Sequence, residues 1–156
     1  MKRFAFLLFL CASLFTSCKK SGGGDSITPV DPRDRMVGTY AVGYNVRITA
    51  GPLELLPENG SGTLIVSKNE QQPSEIFLDF DLSGAGSIKE RQIATITNNT
   101  FVVTSKKTQP IVVNRTTYTG QYSAQGQFTD ANGFIYTGVS EDAPVKMVTS
   151  MTGTKK

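Results

Sequence analysis

Few side chains in this sequence could do chemistry. There is no histidine among its 156 residues, and the two cysteines are Cys11 and Cys18. Imidazole bases and the usual histidine-containing zinc sites are thereby excluded. Asp79 and Asp81 share one face of an extended segment, a spacing that suits a hard cation or an acid–base pair. They alternate, however, with Ile76, Leu78, Phe80 and Leu82, and burying that apolar face sends both carboxylates into water. Residues 130–133, Asp-Ala-Asn-Gly, lack the downstream bidentate glutamate of a calcium loop. The sequence reads as a non-enzyme, with no catalytic residue, no metal ligand and no cofactor. Tyrosines and phenylalanines at alternating positions offer something else. Tyr40, Tyr44, Phe80, Tyr118, Tyr122 and Phe128 suit a pocket that is mostly apolar with a few polar groups.

The elements that must hold these side chains have a period of two. In residues 39–48, Tyr40, Val42, Tyr44, Val46 and Ile48 fall on one face. In 118–128, Tyr118, Gly120, Tyr122, Ala124, Gly126 and Phe128 alternate with Thr, Gln and Ser. Strict alternation predicts half-buried strands. Others are expected from 63, 75, 91, 100, 133 and 145, with a short piece at 110–116, giving eight or nine. Residues 58–62 (Glu-Asn-Gly-Ser-Gly), Asn98-Asn99 and 130–133 read as tight turns, because Asn and Gly tolerate positive φ. Beyond residue 17 no stretch sustains an apolar period of 3.6. Sequential strands on short turns predict an all-β antiparallel up-and-down barrel of eight strands, since closure removes the edges. A β-sandwich is the alternative.

Ahead of the strands, Lys2 and Arg3 precede the apolar stretch 4–15, too short for a comfortable span of roughly 20 residues. Leu14-Phe15-Thr16-Ser17-Cys18 resembles the lipobox of bacterial lipoproteins. That resemblance implies cleavage after Ser17 and lipid on Cys18, with enough acyl chains for stable anchoring at about 0.8 kcal/mol per buried CH₂. It divides the chain into a signal peptide (1–17), a lipidated flexible tether (18–34) and a barrel domain (35–156). The tether is rich in Gly, Pro and Asp and shows no apolar periodicity. Its Ser-Cys opening is similar to lipoproteins of the Bacteroidota, and Asp25-Ser26-Ile27 resembles their O-glycan acceptor, which would put sugar on Ser26. Basic Lys19 and Lys20, rather than acids, follow the cysteine. The expected address is the outer membrane, on its periplasmic face.

Removing the first 17 of 156 residues leaves 139, with 14 basic residues (16 less Lys2 and Arg3) against 13 acidic. That balance gives no electrostatic reason to expect nucleic acid. Lipidation of Cys18 and loss of Cys11 would leave no thiol for nucleophilic chemistry or a disulfide. A spanning barrel is set aside, because several strands are short and the chain ends in lysine.

The opening Val37-Gly38-Thr39-Tyr40, the run of sequential strands and the closing Thr152-Gly153-Thr154-Lys155-Lys156 resemble the lipocalins and wider calycins. This chain has Gly38-Thr39-Tyr40 where that family has Gly-x-Trp, and the family's late arginine has no clear counterpart before Lys155. The family carries a loop over the barrel mouth after its first strand. Here that connection holds Leu53, Leu55 and Leu56 between Pro52 and Pro57, expected either as a one-turn helical lid or as a plug of the barrel end. The resemblance implies a tethered monomer that binds a small apolar ligand. A protein-interaction module with a filled barrel, an inhibitor or envelope subunit, is the alternative.

Overall fold

Alternation builds the wall. In the computed structural model, which describes residues 30–84, 87–130 and 132–156, strands turn apolar side chains in and polar ones out. The elements are a 3-10 helix η1 (Pro32–Arg35), β1 (Gly38–Ala50), β2 (Leu53–Glu54), β3 (Glu58–Lys68), β4 (Glu75–Ser83) and β5 (Ser87–Thr97). β6 (Thr100–Val103), β7 (Thr108–Val113), β8 (Thr116–Phe128), β9 (Gly133–Asp142) and β10 (Val145–Lys155) follow. All pairings are antiparallel, and β10 returns to β1 from Tyr40↔Lys155 to Ala50↔Val145. The sheet therefore closes as a lipocalin-like eight-stave barrel, which removes the sandwich alternative. β6 and β7 pair with successive parts of β8 and form one broken stave.

That stave is broken for its neighbour too. β5 pairs with β6 only over Ala94↔Val103 to Thr97↔Thr100, and β7 pairs with β8 alone. The first half of β5 and the whole of β7 face each other without a backbone ladder.

One barrel end is closed by aromatic packing. Tyr40, Phe101, Phe128 and Phe134 are all buried, with ring centroids 5.3–6.0 Å apart, the spacing of favourable tilted and offset pairs. Helix η1 lies at this end. Asp31 caps it by accepting from the Arg33 amide at 2.8 Å, and Pro32 brings a preset φ to its first turn. Arg33 is only 6% exposed. Its Nη1 donates to the carbonyls of Asn69 (2.9 Å), Gln72 (3.2 Å) and Glu75 (3.0 Å), tying η1 to the β3–β4 connection. Its Nε and Nη2 donate to Asp31, and this guanidinium holds the Asp31 carboxyl well below the usual carboxylate range. The folded unit therefore starts before Arg35: Asp31–Asp34, expected as tether, belong to the barrel end.

Two further details depart from expectation. Residues 58–62 begin β3 instead of forming a turn. Gly60 is needed there because a Cβ would collide with the Tyr44 ring and the Ser83 carbonyl; close approach, not turning, selects it. At the other end of the sheet, Gly38 has φ +146°, and a Cβ on it would strike Lys155. Lys155 lies across this glycine and donates from Nζ to the Arg35 carbonyl at 3.0 Å. Lys155 thus fastens the start of β1.

Candidate functional site

The opposite end of the barrel is hollow. A cavity of about 200 Å³ opens there. Tyr44, Val46 and Ile48 of β1, Phe80 and Leu82 of β4, and Met147 and Met151 of β10 supply its apolar lining. These positions follow from alternation, since each shares the inward face of its strand. Part of the mouth is filled by a second apolar cluster, Ile111, Val113, Val145 and Met147, with Leu55 and Tyr118 packed against it. Ile88, Glu90 and Gln92 of β5, with Lys106 and Gln109 beside and in β7, line the cavity's remaining side.

Polar groups line that side of the cavity. Gln92 is buried, and its Nε2 donates to Glu90 Oε1 and to the Tyr122 hydroxyl, each at 3.3 Å. Tyr136 donates to Gln92 Oε1 at 3.2 Å, and the Tyr122 and Tyr136 hydroxyls bond to each other. Lys106, from the break between β6 and β7, donates to both Glu90 oxygens at 2.8 and 2.9 Å. Its Nζ also sits 4.8 Å from the centre of the Tyr122 ring, a cation–π distance. The Glu90–Lys106 pair thus spans the seam where the ladder is missing. Burial pushes both phenols above their ordinary value, Tyr136 the further; the neighbouring Tyr122 adds to the rise at Tyr136, while the bond to Gln92 opposes it at both.

Of the candidate ligand-binding residues, Tyr44, Phe80 and Tyr122 line the cavity together. Tyr40 and Phe128 do not: they lie in the closed-end core, and Tyr40 donates to the Met36 carbonyl at 2.8 Å. Tyr118 packs with the second cluster at the mouth. Alternation assigns a face but not a depth along the barrel axis, so it cannot separate floor from plug. The Leu53–Leu56 segment forms β2 against the end of β1 and no helical turn. Leu53 and Leu56 are 65% and 91% exposed, and only Leu55 packs inward. Asp79 and Asp81 face outward in cross-strand pairs with Arg91 (2.6 Å) and Lys89 (3.1 Å). Cys18 and Ser26 lie outside the described residues.

Sequence reasoning missed Tyr136, Gln92, Glu90 and Lys106. Glu90 and Gln92 share parity with Ala94 and Ile96, and that shared parity was the available signal. Nothing local shows that Lys106 would reach across a seam.

No protein-family model matches the chain, and no curated protein matches it. Among solved structures, the chain is similar to an S-type phycobiliprotein lyase from Guillardia theta, with a TM-score of 0.52 and 10% identity. The match covers 78% of this chain and 89% of the lyase. At that identity the likeness is one of fold, and it agrees with the lipocalin-like barrel.

Proposed function

We propose that this protein is a membrane-tethered binding protein that holds a small apolar molecule in the mouth-end cavity. One observation carries the reading: the barrel is filled by aromatics at one end, with a recess of about 110 Å³ beside Tyr40 and Phe128, and holds an apolar-lined hollow of about 200 Å³ at the other. A barrel serving only as an interaction module needs no such hollow. The role is taken as non-catalytic, on the absence of histidine from the sequence. The likeness to a lyase lends that part no support, and the lyase's activity is not carried over at 10% identity. Anchoring rests on the lipobox-like stretch ending at Cys18, and the address, the periplasmic face of the outer membrane, on the basic residues after it. Lipid on Cys18 would join the barrel through η1, which lies at its closed end.

Native mass spectrometry of protein extracted from its own host tests the binding reading. A co-purified small molecule, lost when Leu82 in the cavity wall is changed to Arg, is the expected result. Protein that is ligand-free from every growth condition would sink it. For the anchor, Cys18→Ala should move the protein out of carbonate-washed membranes; retention there would overturn the lipoprotein reading.

A further inference from the structure

A count of hydrogens on the polar side of the cavity indicates which ligands it accepts. Gln92 spends both amide hydrogens, on Glu90 and on Tyr122. Its orientation is fixed, since a flipped amide would turn its oxygen towards the Glu90 carboxylate. Tyr136 spends its hydrogen on Gln92 Oε1, so the bond between the two phenols is donated by Tyr122. Lys106 spends two of its three hydrogens on Glu90 and lies against the Tyr122 ring. Around Gln92 and Glu90 the donors are therefore committed except for one Lys106 hydrogen, while acceptor capacity remains; the Tyr44 and Thr149 hydroxyls and the Gln109 amide line the cavity away from this cluster. Glu90 Oε2 receives only Lys106 among the described residues, and a carboxylate oxygen has room for a second donor. The charges lining the cavity lean the same way, with the carboxylates of Glu90 and Glu58 against the single ammonium of Lys106.

We propose that the cavity selects apolar molecules bearing a hydrogen-bond donor, a hydroxyl or an ammonium, which docks on Glu90 Oε2, and that it rejects carboxylates. The inference rests on the apolar-ligand reading and adds the head group to it. A carboxylate entering this site would face Glu90 and Glu58, and would have to break the Glu90–Lys106 pair to gain an ionic partner. A hydroxyl or ammonium completes the network and disturbs none of it. Glu90 is thus a specificity-determining residue, and Lys106 is kept from anions because Glu90 occupies it.

The test uses the full-length protein in amphipol and three eight-carbon probes: octan-1-ol, octylamine and octanoate at neutral pH. The chain has no tryptophan and five tyrosines, three of which, Tyr44, Tyr122 and Tyr136, line the cavity, so a change in tyrosine emission on titration that is also seen in Tyr118→Phe reports occupancy. Parent preferences are read from Kd values corrected for each probe's partition into protein-free amphipol, and variant shifts as each probe's apparent Kd over that for the parent, in which partition cancels. The alcohol and the amine should each bind at least about tenfold more tightly than octanoate, the effect expected from one charge-assisted hydrogen bond. Glu90→Gln, which releases Lys106, should shift the amine-to-octanoate ratio at least about tenfold towards octanoate. Lys106→Met should shift it towards the amine and serves as the second variant. Asp81→Asn on the outer face should leave the ratio unchanged. Octanoate binding as tightly as octan-1-ol to the parent protein, or ratios unmoved in both cavity variants, would overturn the selection while leaving the cavity reading in place. No tyrosine response to any probe would overturn both.

Discussion

At the residue scale, the same side-chain type does different work at different depths. Phe134 is fully enclosed by other rings, whereas Tyr122 touches the cavity on one side. Phe134→Ala should cost about 3–5 kcal/mol, the range for large buried aromatics. Tyr122→Ala should cost less, roughly 2 kcal/mol, because part of its surface already lacks packing partners. Gln121→Ala, on the outer face of β8, should stay within about 0.5 kcal/mol. Urea unfolding of the three variants checks the order, and equal costs at 121 and 122 would mean the faces are reversed. The buried phenols add a pH signature. Their folded pKa values are raised, so their contribution is intact below the unfolded value of about 10 and is lost as pH climbs above it. Stability should fall from about pH 10 upward, and Tyr136→Phe should make that fall shallower. An unchanged alkaline slope in the variant would contradict the linkage.

At the element scale, the weak line of the barrel is the seam between β5 and β7. β1 has a ladder on both sides, to β3 and to β10, whereas β7 has one only, to β8. Alternate amides of β7 therefore lack a backbone partner across the seam. Those amides should exchange with deuterium well before any in the middle of β1, because local opening there breaks no second ladder. Uniform protection around the barrel would mean the seam is closed in solution. The Glu90–Lys106 pair spanning it is partly exposed, and exposed pairs are worth little on their own.

At the scale of the whole molecule, the two barrel ends are finished by different chain segments. The closed end is completed by η1, with Arg33 gathering three carbonyls of the β3–β4 connection, and by Lys155 from the last strand. A chain beginning at Val30 and one beginning at Arg35 should both be monomeric and β-rich by circular dichroism. The shorter chain should lose roughly 2 kcal/mol, since it removes Arg33's charged hydrogen bonds and leaves those carbonyls with their backbone donors alone. Equal urea midpoints would show that η1 is an ornament of the fold and not its plug.

The sequence by itself determined the wall. Its period of two assigned inward and outward faces on β1, β4 and β8, and Asn98 and Asn132 marked turns that the structure builds with positive φ. Side-chain parity is a local property of extended backbone, so it can be read locally. It also contained, unread, the start of the fold, since Asp31-Pro32 is a helix-start signal and only Arg33's distant acceptors give it its purpose. What tertiary structure alone decided is depth and company. Tyr40, Tyr44, Tyr122 and Phe128 look alike on their strands, yet the stagger of strands around a closed barrel sends two to a packed end and two to a hollow one. The polar side of the cavity depends on it most. Gln92, Tyr122 and Tyr136 meet across the interior from three separate staves, and Lys106 reaches Glu90 where the β5–β6 ladder has ended and β7 has left β5. Those contacts are set by where the ladder stops, a property of the closed sheet that no single strand encodes.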